Sequence, residues 1–315
     1  MILAEHFTAP PEWRWYILVY FVLAGLAGGC FVLATLFRFT GYARDEEASR
    51  LGFYLSFPLL VACPIVLTAD LGQPLRFWHM VFDTGAAGPG LNFRYWSPMS
   101  LGVWVLAIFA IFSLLAFLHV LASDGRFRNP LTRMLIAAHS TVLGKAFDVV
   151  GSVVALFFVS YTGVLLSVSN QPVWSDSFAI GGLFLASGLT GAAALLGLAT
   201  RWRPAAAEAG LRLSRADGYF AALELAFILV FWVTLALAGT LGLAFGSFYS
   251  LLWLLAILGV LPPLAGMVGR DVRVAPGGGS AGAAHALTAS TTVGAVAVLV
   301  GSVALRAAVI WSAQG

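Results

Sequence analysis

Charged residues are scarce in this chain. Only 10% of its 315 residues are Asp, Glu, Lys or Arg, and 60% are hydrophobic, whereas soluble domains carry about 25% charged residues. A water-soluble surface is therefore excluded for most of the chain. Its expected partners are membrane lipid and other proteins, and no nucleic-acid partner is expected.

Cysteine is also scarce. Cys30 and Cys63 lie in separate apolar runs and are predicted to be small buried hydrophobes. Two cysteines are too few for a four-cysteine iron–sulfur cluster, and no Cys/His spacing typical of a metal site occurs. His119 and His139 flank one predicted loop, at or beyond helix ends, where a buried pair of haem ligands is not expected. The chain is predicted to hold no metal or haem of its own.

Long apolar runs dominate the sequence. A helix needs about 20 apolar residues to cross the hydrocarbon core. Eight runs are long enough, at approximately 15–37, 51–70, 97–121, 140–168, 178–199, 219–242, 245–267 and 287–312. Without a turn at 242–246 the sixth and seventh runs would merge and the count would be seven. The sequence predicts an all-α integral membrane protein, a single membrane domain over 1–315 with a short outer segment 1–14 and a bundle of about eight transmembrane helices.

Basic residues are distributed unevenly between the predicted loops. Twelve of the 17 lysines and arginines fall in the odd-numbered loops, and basic residues favour the cytoplasmic side. Both termini and the even-numbered loops are therefore predicted to face outward. The longest outer loop, 71–96, is the expected docking surface for a partner. Six tryptophans fall near the same interface, where an aromatic belt is expected: Trp13, Trp15, Trp78, Trp96, Trp174 and Trp311.

Two residues near the outer side are candidates for function. Asp70 ends the second helix, where the helix dipole disfavours a carboxylate; it either pairs with Arg76 or belongs to a site. Tyr161 lies near the outer end of the fourth helix, as an interfacial anchor or as a ligand contact. Gly163 beside it would let another helix or a flat ligand approach closely.

Four charged residues fall within the predicted helices: Lys145, Asp148, Glu224 and Arg306. Lys145 and Asp148 are three residues apart, so they share a helix face and can pair. Glu224 enters the sixth helix at a similar depth, and Arg306 lies deep in the eighth helix toward the outside. The four residues form either structural ion pairs or a proton-transfer path. In the second case Lys145, Asp148 and Glu224 are expected to cluster in the cytoplasmic half.

Several stretches together resemble the NrfD/PsrC family of membrane subunits. Its members are quinone-reactive subunits of polysulfide reductase, formate-linked nitrite reductase and related complexes. The resemblance covers about residues 5–312. The stretches that carry it are the Gly-rich first helix with its tryptophans from Trp13 to Gly29, Asp70-Leu-Gly-x-Pro-x-Arg76-Phe, Tyr161-Thr-Gly and Pro172-x-Trp174.

The resemblance implies a haem-free, eight-helix subunit of the bacterial inner membrane. Such a subunit exchanges electrons between a quinone (menaquinone or ubiquinone) and a four-cluster ferredoxin-like iron–sulfur subunit. That partner in turn serves a molybdopterin or other catalytic subunit on the outer side. The resemblance also implies that the quinone is bordered by Asp70 and Tyr161 and approached by a histidine that His6 matches.

Three further outer residues complete the expected quinone site: Trp15, Arg76 and His79. Quinone reduction takes two electrons and two protons, so the site must supply hydrogen-bond donors and a route for protons. Two other interpretations stay open. A secondary transporter would use the buried charges as its ion and substrate site, although inverted repeats and broken helices do not stand out. A purely structural anchor would leave the quinone to its partner.

Overall fold

The computed structural model describes residues 11–40, 43–84, 89–125, 136–137, 139, 141–200, 209–246, 248–268 and 281–314. Each long helix in these ranges contains a stretch long and apolar enough to cross a membrane. The predicted all-α membrane bundle of eight helices is therefore confirmed. The helices are α1 (Trp15–Phe39), α2 (Ala43–Asp70), α3 (Pro98–Ser123), α4 (Val142–Ser167), α5 (Ile180–Ala199), α6 (Ala209–Ala238), α7 (Tyr249–Val268) and α8 (Ala281–Trp311).

Two helices begin well before their predicted starts. α2 begins eight residues earlier than predicted and α6 ten residues earlier, because polar first turns continue the helix beyond the apolar run. Hydropathy marks the lipid-facing length rather than the helix end. The turn that separates the sixth and seventh spans is present: Gly239 has φ of +83° just after α6, as a helix-ending glycine often does. One short helical turn, Leu241–Ala244, then leads to α7.

The eight helices pack as two groups of four in chain order. In the first group each helix packs against the next, and α4 closes back on α1; α5 to α8 repeat this arrangement. α1 and α5 join the groups and are the most buried of the spans. Small residues make this joint possible, since a Cβ on Gly29 would lie 2.7 Å from the carbonyl oxygen of Gly188. Close backbone approach is a main source of helix association in lipid.

Both ends of the chain meet on one side of the bundle. The backbone N–H of Trp13 donates to Oε1 of Gln314 at 2.8 Å, and Nε2 of Gln314 donates to the carbonyl of Trp13 at 3.2 Å. An even number of crossings puts both ends on the same side of the membrane, and these bonds show that they are also in contact there. This side is called outer below, following the distribution of basic residues, and its orientation stays a prediction.

The outer loop between α2 and α3 has structure of its own. A 3₁₀ helix, Pro74–Met80, is followed by β1 (Phe82–Asp83), which pairs antiparallel with β2 (Gly90–Leu91). Ser97 then caps α3, its hydroxyl accepting from the N–H of Ser100 at 3.4 Å. A Ser cap followed by Pro98 is a common start for a helix.

Candidate functional site

Tyr161 joins two helices at the outer end of the first group. Its hydroxyl donates to the carbonyl of Pro98 in the first turn of α3. A Cβ on Gly102 would lie 2.6 Å from the tyrosine oxygen, so the glycine leaves the space that the phenol fills. Tyr161 is only 5% exposed, which does not fit an interfacial anchor. As expected, Gly163 allows a close helix contact, because a Cβ there would collide with the carbonyl of Ile180.

Tyr20 of α1 and Cys63 of α2 lie close enough to Tyr161 for their polar groups to interact electrostatically. All three side chains are buried, and they come from three different helices of the first group. No hydrogen bond joins the Tyr20 hydroxyl to another described residue. A hydroxyl that keeps its donor can contact a ligand, and Tyr20, Cys63 and Tyr161 are called the Tyr161 cluster below.

Tyr20 and Cys63 were not predicted as site residues, although their positions along the helices could have indicated them. Tyr20 is five residues from the outer end of α1, Cys63 seven from that of α2, and Tyr161 six from that of α4. At 1.5 Å per residue these distances are about 8–10 Å. Three polarizable or polar side chains therefore lie at a similar distance from the outer ends of neighbouring helices. This shared position is the sequence signal for the site.

The other predicted quinone contacts lie at the surface, outside the Tyr161 cluster. Asp70 and Arg76 are exposed, and no ion pair joins them in the described part of the chain. His79 stacks on Trp78, with ring centroids 3.8 Å apart. Trp15 is exposed and stacks on Tyr16. No hydrogen bond, ion pair or ring contact connects these described residues to Tyr161.

His6 falls outside the described residues, so its predicted approach to the quinone stays a prediction. Asp70 is seven residues beyond Cys63 on α2, which places it about 10 Å farther toward the outside. The structure therefore brings Asp70 to the outer end of the helix that carries Cys63. It does not place Asp70 against Tyr161.

Trp174 is not a member of the outer aromatic belt, so that prediction is wrong. Its side chain is fully buried, its indole N–H donates to the carbonyl of Val309 at 2.7 Å, and its ring lies 5.0 Å from that of Trp13. The preceding Val173 has φ of +70°, which is rare for a β-branched residue and costs on the order of 1–3 kcal/mol. The loop before α5 thus turns inward and fixes Trp174 between the two chain ends.

Asp148 belongs to a buried cluster at the opposite, predicted cytoplasmic end. Arg38, near the end of α1, donates to the Asp148 carboxylate and to both the ring and the backbone carbonyl of His139. Lys145 is exposed, so the expected Lys145–Asp148 pair is wrong. Helical spacing permitted that pair, but the buried carboxylate is neutralised by Arg38, while the strongly hydrated ammonium stays at the surface.

The two histidines that flank the third predicted loop lie together. The ring centroids of His119 and His139 are 3.8 Å apart, a contact that the sequence analysis, which considered them only as haem ligands, did not predict. Burial, with the nearby His119 and Arg38, lowers the pKa of His139 to about 3. A neutral His139 fits its contact with Arg38, because only a neutral ring nitrogen can accept the guanidinium N–H.

Arg306 lies at the centre of the second helical group, where it is 1% exposed. Its Nη1 donates to the hydroxyls of Ser187 at 2.9 Å and Ser302 at 2.6 Å, and its Nη2 donates to the carbonyl of Phe184 at 3.1 Å. These bonds tie α8 to α5. The guanidinium also reaches α1, where a Cβ on Gly25 would lie 2.6 Å from Nη2.

Glu224 is a buried acidic residue whose charge Arg306 opposes, although these two described residues do not form a salt bridge. The carboxylate of this buried α6 residue interacts with the hydroxyls of Thr190 and Ser187 on α5, and Arg306 supplies the opposing charge. Glu224 therefore does not join Lys145 and Asp148, and the expected three-residue cluster is wrong. Similar depth along two helices did not imply adjacency, because α4 and α6 belong to different groups.

Comparison with known proteins places the chain in a family. A family model described as polysulphide reductase, NrfD matches residues 5–314. One polypeptide of the polysulfide reductase of Wolinella succinogenes is 30% identical over 190 residues, which are 56% of this chain and 55% of that protein. Protein NrfD of Escherichia coli is 26% identical over 202 residues, 61% of each chain.

A shorter match joins the chain to a selenate reductase subunit of Mesobacillus selenatarsenatis, 28% identical over 108 residues, 34% of this chain and 22% of that protein. The chain thus spans less than two thirds of the length of each of these relatives. The match to the family model nevertheless runs through all eight helices. This chain belongs to the polysulphide reductase NrfD family.

Proposed function

We propose that this protein is the quinone-reactive membrane subunit of a respiratory oxidoreductase of the bacterial inner membrane. It passes electrons between a quinone, menaquinone or ubiquinone, and an extrinsic iron–sulfur subunit on the outer side. Two relatives are named as one subunit of a polysulfide or selenate reductase, which supports this proposal. The observation that carries it is the Tyr161 cluster, in which three helices bring together two buried phenols and a buried thiol.

The Tyr161 cluster has the chemistry of a quinone headgroup site. A quinone presents two carbonyl oxygens and a flat apolar ring, so it needs O–H or N–H donors within an apolar enclosure. The hydroxyl of Tyr20 makes no hydrogen bond to another described residue, so it can donate to a quinone oxygen. That of Tyr161 donates to the carbonyl of Pro98, and its oxygen faces the backbone of Gly102, which leaves one lone pair to accept from a quinol. Cys63 adds a small buried thiol to the cluster. Asp70, at the outer end of α2, exchanges protons with water.

An extrinsic partner must supply the redox centres. Among the described residues no group of three or more metal-ligating side chains occurs, and the chain has two cysteines in all. A four-cluster ferredoxin-like subunit would dock on the outer side, over the 3₁₀ helix Pro74–Met80. Leu75 is 89% exposed there and Arg76 is exposed beside it. A molybdopterin subunit would then lie beyond that partner.

Protons have two buried clusters through which to move. Glu224 and Arg306 form one in the second group, and Asp148 with Arg38 forms the other toward the cytoplasmic end. Lys145 sits at the exposed start of α4, where it would exchange protons with water. Buried carboxylates with charged partners are the usual elements of proton paths in membranes.

A secondary transporter is the competing proposal, since Arg306 and Glu224 are buried charges near the middle of the bundle. Transporter sites are usually formed by discontinuous helices whose free ends face the substrate. Here α5, α6 and α8 run unbroken past these two residues, and the guanidinium already donates to four protein oxygens. These features favour fixed internal charges over a substrate site.

Quinone binding to the purified protein tests the proposal. Tyr20→Phe and Tyr161→Phe each remove one hydroxyl, and we expect menaquinone affinity to fall about tenfold for each, or ~1.4 kcal/mol. Tyr54→Phe is the matched control, because Tyr54 contacts Phe117 away from the cluster. Wild-type affinity in the Tyr20→Phe/Tyr161→Phe double variant would disprove the site.

Turnover of the assembled complex provides a second test. Asp70→Asn removes an exposed proton acceptor without touching the phenols. We therefore expect quinone binding and partner assembly to persist while quinone turnover falls by at least tenfold. Unchanged turnover would remove Asp70 from the proton route.

A further inference from the structure

The strand pair of the outer loop folds down along α3 and does not stand above the bundle. The indole N–H of Trp104 donates to the carbonyl of Asn92 at 3.1 Å, and the Ser100 hydroxyl donates to the same oxygen at 3.2 Å. The ring of Phe93 meets that of Trp104 edge-on at 6.0 Å. Ser100 and Trp104 are two and six residues into α3, and helical side chains lean back toward the start of the helix, so the loop contacts only the first two turns of α3.

The side of α3 that this loop covers is the side that faces lipid. The buried face of α3 includes Val105 and Phe109, which pack into the first group. Trp104 lies four and seven residues before Ile108 and Ile111, so it shares their face. Those two residues are 43% and 58% exposed, and in a membrane-spanning helix such a face contacts acyl chains. The loop therefore lies outside the bundle and continues its lipid-facing surface.

The loop segment at this position is apolar, aromatic and without net charge. Its only two charged residues, Asp83 and Arg94, lie 3.9 Å apart as an ion pair. Contiguous exposed apolar side chains indicate a contact surface, and Tyr and Trp favour the membrane interface in particular. The exposed members are Phe82, Leu91, Phe93, Tyr95 and Trp96.

We infer that residues 81–84 and 89–97, called the interfacial ribbon, are seated in the outer lipid interface against the lipid-facing side of α3. Two considerations limit how deeply the ribbon lies relative to the hydrocarbon core. Strand edges without partners cannot enter hydrocarbon, so the ribbon stays at the level of the headgroups. α3 has 26 residues, or about 39 Å, against a core of about 30 Å, which leaves about 4–5 Å of helix beyond the core at each end.

The two halves of the outer loop between α2 and α3 thus have different contacts. The ribbon contacts lipid, whereas the 3₁₀ helix with Leu75 remains for a protein partner. Because the ribbon has no net charge, its seating does not depend on anionic headgroups. The seating of the ribbon does not involve the quinone. A test that refutes the seating would therefore leave the proposed function unaffected, and the reverse also holds.

Spin labelling of single cysteines tests the ribbon directly. Leu91→Cys and Tyr95→Cys would carry a nitroxide in phosphatidylcholine vesicles, with Leu75→Cys as the aqueous control and Ile111→Cys as the lipid control. Cys30 and Cys63 are buried, and labelled wild-type protein supplies the blank. We expect the ratio of oxygen to nickel-chelate collisions at positions 91 and 95 to exceed that at 75 severalfold and to approach that at 111. A ratio equal to that at 75 would overturn the inference.

Two further measurements distinguish lipid from protein as the occupant. Trp104→Phe removes the indole donor, so we expect the label at position 91 to become more accessible to the nickel chelate. In the complex with the extrinsic partner, the oxygen collision rate at 91 should stay within twofold of its value in the isolated subunit. Loss of both oxygen and nickel accessibility on partner binding would make the ribbon a protein docking surface and refute its seating in lipid.

Discussion

The guanidinium of Arg306 occupies the space that a side chain at Gly25 would need. A Cβ at position 25 would lie 2.6 Å from Nη2 of Arg306 and 3.2 Å from Cα of Gly188. One glycine on α1 thus accommodates a charged group from α8 and a backbone from α5. The joint between the two helical groups and the buried guanidinium of Arg306 are therefore one structural unit.

Gly25→Ala is expected to destabilise the protein by about 1–3 kcal/mol, because an added methyl group forces a packed region apart. Gly72→Ala is the control, since nothing lies within 4 Å of a Cβ there, and we expect a change within about 0.5 kcal/mol. Thermal unfolding in detergent measures both variants. Equal stability of the two would show that position 25 has room to spare.

Removing one of two opposed buried charges should cost more than removing both. Arg306→Met leaves the buried Glu224 without the opposing charge of Arg306, and leaving a buried polar group uncompensated costs about 1–3 kcal/mol. Adding Glu224→Gln removes the stranded charge, so the double variant should recover at least half of the loss. Additive losses in a double-mutant cycle would indicate that the two groups do not interact.

The cytoplasmic cluster predicts opposite outcomes for two residues one helical turn apart. Asp148→Asn removes the negative charge that pairs with Arg38 and is expected to lower stability by about 1–3 kcal/mol. Lys145→Ala should change it by less than about 0.5 kcal/mol, because the lysine is exposed. If Lys145→Ala proves the more damaging of the two, the assignment of Arg38 as the partner of Asp148 is wrong.

His139 makes stability sensitive to acid in a defined window. Its pKa is about 3 in the folded protein and near 6.5 when unfolded, so the unfolded state binds the proton first as pH falls. The contribution of neutral His139 to the free energy of unfolding is therefore complete above pH 6.5. As pH falls toward 3 it is lost progressively, at up to ~1.4 kcal/mol per pH unit. We expect His139→Gln to have a shallower decline in unfolding free energy between pH 6.5 and 4. Parallel curves would contradict this origin.

The orientation of the bundle is open to direct labelling. Arg76→Cys should react with an impermeant maleimide only from the outer side of oriented vesicles, and Lys145→Cys only from the cytoplasmic side. The native cysteines are buried and should contribute little background. Labelling of Arg76→Cys from the cytoplasm alone would reverse the topology and with it the outer placement of the site.

Hydropathy predicted the eight spans because lipid imposes a minimum apolar length on every crossing. The distribution of basic residues predicted that both termini lie on the same side of the membrane. In the structure, the Trp13–Gln314 bonds bring the two chain ends together. Motif resemblance pointed to Tyr161, which the structure buries. These features depend on one helix at a time, so they can be read from local sequence.

Features that depend on which helices are neighbours were missed. Arg38, at the end of a long apolar run, gave no sign that it would reach Asp148 on α4. Glu224 and Asp148 have similar depth, yet they lie in different helical groups. Tyr20 resembles any aromatic residue of a membrane helix until α1 is placed beside α4. Lateral arrangement is determined by packing between helices, and no single-helix pattern contains it.

The bonds between Trp13 and Gln314 also constrain how the molecule is made. The first span is synthesised long before the last, so α1 is in the membrane without its contacts to α8 until α8 has been inserted. During that interval α4 and α5 can already cover the glycines of α1, but the site for the Arg306 guanidinium is empty. Assembly of the second helical group is therefore the step that completes the first.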